Sequence, residues 1–289
     1  MKIRSAVPDD FAALAALISR YNETPHTQCI HSGEGAEEIA AALRTYHEDG
    51  EAFCARAERE GELVGVFGGE YDEALGRAWL WGPFAEDAGW EETARALEVE
   101  FFASLPEAIK RADCFLHRDN ERGYQFYLQR GFKPAHIAHV YAAERPALLP
   151  SLDAACRKAV DADAERLIAL HDELFPNTYE TGRGMLEKSD DKHRLFVVGE
   201  EGEVQGYVYA SLPEGGDEGY VDFLGVCAKA RRQGLGRKLL NCALHWCFAE
   251  CGVAVVHLTV GDERIYARAL YESAGFSLKY AGIGARKDW

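Results

Sequence analysis

The sequence predicts two tandem α+β domains, each a mixed, mostly antiparallel sheet flanked by helices. Three observations carry this. First, the chain repeats itself at a domain-sized interval. Arg4-Ser5-Ala6-Val7 returns as Arg157-Lys158-Ala159-Val160, Glu62-Leu63-Val64-Gly65 as Glu203-Val204-Gln205-Gly206, and the Phe126-Tyr127 to Gly131-Phe132 passage as Leu270-Tyr271 to Gly275-Phe276. The three intervals agree to within loop-length differences, which marks two domains rather than a solenoid. Second, each copy runs through several strand-like stretches before a strand–helix–strand passage, the order of a mixed sheet. Third, a length of 289 residues suits two domains. Two prolines in Glu144-Arg145-Pro146-Ala147-Leu148-Leu149-Pro150 place the join there, giving domains at 1–146 and 153–289.

The elements follow in order. Residues 3–6 and 157–160 read as first strands. Each leads to a helix whose apolar residues fall at helical spacing, Leu14 and Leu17 in one copy, Leu167 and Leu170 in the other. A helical or irregular segment comes next, then a meander of strands, in the second copy over residues 194–199, 204–212 and 219–226. A central helix carries Leu239, Leu240, Ala243 and Leu244 at helical spacing. Residues 253–260 form a buried apolar strand, residues 263–274 a helix stopped by Gly275, and a final hairpin completes the domain.

Between the strand at 219–226 and the central helix stands Arg231-Arg232-Gln233-Gly234-Leu235-Gly236. Two glycines two apart let the backbone turn tightly with no side chain in the way. Their N–H groups and those of the first helical turn can converge on one anion. Arg231, Arg232 and Arg237 add positive charge at the same end. Strand, glycine turn and helix together make a phosphate cradle. No Gly-Lys-Ser/Thr follows, so it is not a nucleoside-triphosphate loop. The spacing also departs from the G-x-G-x-x-G of dinucleotide folds.

This stretch resembles the pyrophosphate loop of the GNAT superfamily of acyl-CoA-dependent N-acetyltransferases, whose signature is Arg/Gln-x-x-Gly-x-Gly/Ala; Arg231, Gly234 and Gly236 match it. Downstream, Leu270-Tyr271-Glu272-Ser273-Ala274-Gly275-Phe276 resembles the family's Leu-Tyr-x-x-x-Gly-Phe segment, with Ala267 at the small position four residues before the tyrosine. One position departs: where the family often has Asn, seven residues before the tyrosine, this chain has Arg264, which could instead reach a phosphate.

The resemblance implies a central sheet whose fourth and fifth strands splay apart, with acetyl-CoA as acyl donor entering the splay. The backbone N–H groups of Gly234, Leu235, Gly236 and Arg237 would hold the pyrophosphate, with Arg231, Arg232 and Gln233 around it. Main-chain groups of Val226 and Ala228 would pair with pantetheine as an added strand would. A neutral primary amine of a small molecule or peptide would attack the acetyl carbonyl directly in a ternary complex, and Tyr271 would protonate the departing thiolate.

The amine must also lose a proton. Asp222, on the strand before the phosphate turn, is the first candidate to take it; Glu218 and His257 are rivals. Strand alternation puts Asp222 on one face with Tyr220, Leu224 and Val226. Residues 175–182, with their turn formers and aromatics, are expected beside the acceptor. Two other readings remain open, a non-catalytic acyl-CoA-binding sensor and a structural protein made of two decayed domains.

The two copies differ in chemistry. The first keeps Asn120, Gly123 and Tyr127 at the Asn, small and Tyr positions. In place of the phosphate turn it has Trp81-Gly82-Pro83-Phe84-Ala85-Glu86-Asp87-Ala88-Gly89-Trp90-Glu91-Glu92, with no arginine and with carboxylates Glu86, Asp87, Glu91 and Glu92. Carboxylates suit a helix N-terminus and repel a pyrophosphate. Residues 1–146 therefore read as a degenerate copy without acyl-CoA binding, and 153–289 as the catalytic domain.

Composition excludes other classes. A formal net charge of −16 opposes nucleic-acid phosphates and anionic lipids, so neither nucleic acid nor membrane is expected as a partner. The 47% hydrophobic and 28% charged content is that of a globular protein with a sizeable core. The eight cysteines form no C-x-x-C pair, so no metal site is expected. Unpaired thiols and a polar N-terminus without an export signal point to the cytoplasm. Monomer and homodimer both remain open.

Overall fold

The computed structural model describes residues 1–33, 35–176, 178–188, 190–213 and 217–289. The chain divides into two compact units, Met1–Ala138 with Ala281–Trp289, and His139–Tyr280. The first unit contains β1 (Lys2–Ser5), α1 (Phe11–Asn22), α2 (Ala36–Asp49), β2 (Ala52–Arg59), β3 (Glu62–Asp72), β4 (Arg77–Ala85), α3 (Trp90–Ser104), β5 (Arg111–His117), α4 (Glu121–Gln129) and the start of β6 (Lys133–Glu144). The second holds the rest of β6, then β7 (Cys156–Lys158), α5 (Ala164–Leu174), α6 (Gly182–Glu187), β8 (His193–Val198), β9 (Gly206–Ser211), β10 (Glu218–Val226), α7 (Leu235–His245), β11 (Val255–Gly261), α8 (Ile265–Ser273) and the start of β12 (Ser277–Asp288).

Both sheets have the predicted mixed character. In the first unit β1, β2, β3 and β4 are paired antiparallel in sequence, and β5 joins β4 in parallel. In the second, β7, β8, β9 and β10 are antiparallel and β11 joins β10 in parallel. One core in the first unit gathers Leu14, Ile18, Phe67, Leu97 and Phe101. Two layers flank the second sheet, one led by Leu239, Leu240 and Trp246, the other by Leu167, Leu170 and Tyr207.

The repeat in sequence is also a repeat in contacts. Arg4 Nη1 and Nη2 donate to Asp10 at 2.7 and 2.9 Å, and Arg157 Nη1 and Nη2 donate to Asp163 at 2.6 and 2.8 Å. Each aspartate also accepts a backbone N–H, from Val7 or Val160 at 2.9 Å. The arginine hydrogen bonds hold each carboxyl down to about 2.

The expected final hairpin is one strand. β12 runs unbroken, and its residues 282–288 pair antiparallel with β5 in the first unit. Gly282 and Gly284 lie inside this strand. A Cβ on Gly282 would lie 2.3 Å from the Phe115 ring, and one on Gly284 2.6 Å from His136. Both glycines serve close approach in an extended strand, not a turn.

Candidate active site

The site is built in the second unit where two strands part. β10 and β11 are paired only from Glu218 with Val255 to Tyr220 with His257, after which β10 runs on to Val226 and β11 to Gly261. A cavity of about 690 Å³ opens beyond the last pair. Leu224, Gly225 and Val226 of β10 line one side, Arg264, Ala267 and Leu270 the other, and Leu174 and Phe175 at the end of α5 lie across it. The loop before α7 lines its remaining edge through Arg231, Arg232, Gly234, Leu235, Gly236 and Arg237.

That loop has the backbone its sequence predicts. Gly234 is the N-cap of α7 with φ +80° and open space where a Cβ would be. Arg232 also has positive φ, at 66°, which L side chains rarely adopt. Through these turns the consecutive amides of residues 232–236 meet no backbone or side-chain acceptor among the described residues, while Arg237 and Lys238 already donate to the Gly234 carbonyl. Unsatisfied N–H groups at a helix head are an anion site. Arg231 Nε donates to the Val226 carbonyl at 3.1 Å, Arg232 lies over the Tyr266 ring at 5.6 Å, and Arg237 donates to the carbonyl and Oγ of Ser273. Gln233, Ala228, Asp222 and Tyr271 are not among the residues that line the cavity. Gln233 turns back to the Lys229 carbonyl at 3.3 Å, and Ala228 opens a 3₁₀ turn.

Asp222 is placed by a β-bulge that alternation cannot anticipate. In the β9–β10 register Val221 faces Ala210 and Phe223 faces Tyr209, so Asp222 is the extra residue. Leu224 and Val226 pack toward Leu239 and Leu240. Asp222 instead shares the side of Phe223, where Tyr179 Oη donates to its Oδ1 at 2.9 Å and Ser211 Oγ to its Oδ2 at 2.7 Å. The expected common face with Leu224 and Val226 is therefore corrected. Burial outweighs these two hydrogen bonds and raises the carboxyl to about 6.

The rival bases pair with each other: His257 Nε2 is 3.1 Å from Glu218 Oε2, and the His257 ring lies 5.3 Å from that of Tyr220. Sequence reasoning missed His171, buried on α5. Its Nδ1 lies 2.6 Å from the Tyr207 hydroxyl and its Nε2 2.9 Å from the Glu180 carbonyl. Burial lowers its pKa, so the neutral ring donates from Nε2 and accepts at Nδ1. This ties Tyr179 and Glu180 down beside Asp222; Asn177 of the same expected segment lies outside the described residues. Nothing in the α5 pattern distinguishes His171 from an ordinary apolar-face residue.

The first unit has the same splay. β4 and β5 pair from Arg77 with Arg111 to Leu80 with Cys114, then separate. Its own chain fills the gap. Cys29 bridges to Leu116, and its Sγ lies 3.6 and 3.7 Å from the carbonyls of Leu80 and Phe115. The Gln28 carbonyl accepts from His117 N and Asn120 Nδ2.

The paired tyrosines diverge accordingly. Tyr127, 1% exposed, donates to the Gly82 carbonyl at 2.7 Å. Tyr271, 7% exposed and packed on Phe276, makes no hydrogen bond through its hydroxyl among the described residues. Tyr127→Phe, which strands a buried carbonyl, is expected to cost about 1–3 kcal/mol, against within about 0.5 kcal/mol for Tyr271→Phe. Hydrogen exchange at α4 and α8 in each variant reads the difference.

Among the described residues no group of three His, Cys, Asp or Glu side chains is placed to hold a metal ion, and no helix is long and apolar enough to cross a membrane.

Comparison with known proteins agrees with this fold. No curated relative matches the sequence. Among solved structures, a GCN5-related N-acetyltransferase from Sphaerobacter thermophilus superposes with a TM-score of 0.70 at 20% identity, covering 99% of this chain and 95% of that one. A tandem GNAT protein from the clavulanic acid biosynthesis pathway superposes at 0.68 with 13% identity, covering 99% and 98%. A putative acetyltransferase from Pyrococcus horikoshii follows at 0.63 and 14%, covering 100% and 89%. At such identities these likenesses speak to the fold. The family model for the acetyltransferase (GNAT) family matches residues 161–276, the stretch that contains the cavity, the free amides and Tyr271. Residues 161–276 thus match the acetyltransferase (GNAT) family, and the chain has the fold of the acetyltransferases it superposes on.

Proposed function

We propose that the second unit transfers an acetyl group from acetyl-CoA to a primary amine of a small molecule or peptide. The observation that carries this is the run of free amides at the head of α7, opening with Arg231, Arg232 and Arg237 onto a cavity of about 690 Å³. These groups would hold the diphosphate, and the unpaired edge of β10 from Leu224 to Val226 would run beside the pantetheine arm. Asp222 would accept the proton the amine gives up as it attacks, its raised pKa suiting a base that works near neutral pH. Tyr271 would face the departing sulfur. Residues Tyr179 and Phe175 would border the acceptor, and the filled gap of the first unit supports a role for that unit other than acyl-CoA binding.

The test has two stages. Acetyl-CoA in excess should raise the melting temperature, because a ligand that binds only the folded state stabilises it. Thiol release should then appear with some member of a panel of amino acids, polyamines, aminoglycosides and peptide N-termini. No thermal shift at millimolar acetyl-CoA defeats the reading; binding without thiol release from any amine leaves a sensor.

A further inference from the structure

Arg264 stands at the head of α8 where Asn120 stands at the head of α4. Asn120 caps its helix, with Oδ1 accepting from Gly123 N at 3.0 Å. α8 has no side-chain cap, so the Arg264 side chain is committed elsewhere. Its guanidinium lies 5.1 Å from the centre of the Phe175 ring, and Nη2 is 3.5 Å from the Leu174 carbonyl. It therefore reaches across the cavity toward α5, away from the loop, whose own arginines are turned to Val226, Tyr266 and Ser273.

Seven residues separate Arg264 from Tyr271, about two helical turns, which places both on one face of α8. The Tyr271 side chain leans back toward the helix N-terminus, as helical side chains do. The Arg264 charge favours the ionised form of Tyr271, and of Tyr207 as well, against the effect of burial.

A chemical need meets this placement. Burial pushes Tyr271 up to about 12. A phenol held so high by burial is a weaker proton donor than an ordinary one. The sulfur then leaves as an anion, and an anion leaving into a largely apolar cavity needs a cation.

We propose that Arg264 is a catalytic residue, the cation that holds the thiolate as it departs. The proposal rests on the acyl-transfer reading above. As the N–C bond forms, the C–S bond breaks and sulfur takes the bonding pair, its charge facing the Arg264 guanidinium. The proton lost by the amine passes to Asp222 and on to water; the sulfur takes up its proton from water, with the Tyr271 hydroxyl donating a hydrogen bond to it meanwhile. The charged groups around this point are Glu263, 3.5 Å from Arg264 Nε, Asp172 on α5, and Arg231, Arg232 and Arg237 on the loop; His171 on α5 is neutral.

The test uses free CoA and needs no acceptor. The far-ultraviolet absorbance of the bound thiolate is titrated against pH in the full-length protein, with the complex of desulfo-CoA, which lacks the sulfur, subtracted. In the wild type the bound thiol should ionise at least one pH unit below free CoA, a tenfold or greater shift. Arg264→Lys should keep most of that shift. Arg264→Met should return the thiol to its free value or above, while desulfo-CoA affinity stays within about threefold. Arg264→Asn should behave as the Met variant does although it can supply the cap that Asn120 supplies, so hydrogen exchange at α8 shows a helix at least as well protected as the wild type. A wild-type thiol that ionises at or above its free value overturns the proposal, as does a lowered value that survives in Arg264→Met. Failure of both CoA and desulfo-CoA to bind the wild type would instead defeat the acyl-CoA reading, and this proposal with it.

Discussion

Gly234→Trp is expected to abolish the acetyl-CoA-induced rise in melting temperature. For a ligand at 100 times its dissociation constant, binding to the folded state alone contributes about 2.7 kcal/mol. The variant should show none of it at the same concentration. Two causes act together. The Gly234 Cβ position is open, so a side chain can start there, and the bulk of an indole then stands at the helix head beside the free amides. The backbone also holds φ +80°, which costs an L residue about 1–2 kcal/mol and tilts the neighbouring amides. That cost appears separately, as a lower melting temperature without ligand. Hydrogen exchange in β2 to β5 should be unchanged. Undiminished stabilisation by acetyl-CoA would mean that the diphosphate is held elsewhere.

Asp222→Asn is expected to slow acetyl transfer by about 10²–10⁴-fold while leaving acetyl-CoA binding within a few-fold. In the wild type, kcat/KM should carry a rising limb through about 6, where the carboxylate becomes the active form, separate from the limb at higher pH set by deprotonation of the amine itself. The variant should lose the first of these. Stability moves the other way, and its sign follows from proton binding. The folded-state pKa, about 6, lies above the ordinary 3.8, so between those values the native state binds the proton more tightly than the unfolded chain. Wild-type stability therefore falls as pH rises through this window and stays reduced above it. Asparagine removes the penalty. Discounted for partial exposure, the gain at pH 8 should be about 1–2 kcal/mol, and near zero at pH 3. Denaturation at the two pH values reads the contrast. Equal stability at both, or a kcat unchanged by the substitution, would remove Asp222 from the proton path.

The candidate site was legible in part. Gly234 and Gly236 ahead of an amphipathic helix signal their conformation locally, so the amide cluster could be read from six residues. The same is true of the Tyr271 segment, whose helical spacing and stopping glycine are short-range. The direction of Asp222 was not, because a bulge depends on how β9 and β10 register, and the sequence of β10 alone reads as unbroken alternation. Nor was His171, whose partners Tyr207 and Glu180 become neighbours only when α5 lies on the sheet. Arg264 carries a charge whose direction the sequence leaves open; that it lies over the ring of Phe175 and near the carbonyl of Leu174 appears only when α5 and α8 come together.

By itself the sequence determined the duplication, the mixed sheet of each unit, and the glycine-opened helix head, all set by the periodicity and backbone freedom of neighbouring residues. Only the tertiary structure decided which splay stays open. In the first unit Gln28 and Cys29 fill it through bonds to Leu116, His117 and Asn120, and β12 returns to pair with β5. Those partners are far apart along the chain. Their contacts carry no local signature, since the free energy that selects them exists only once packing has brought the segments together.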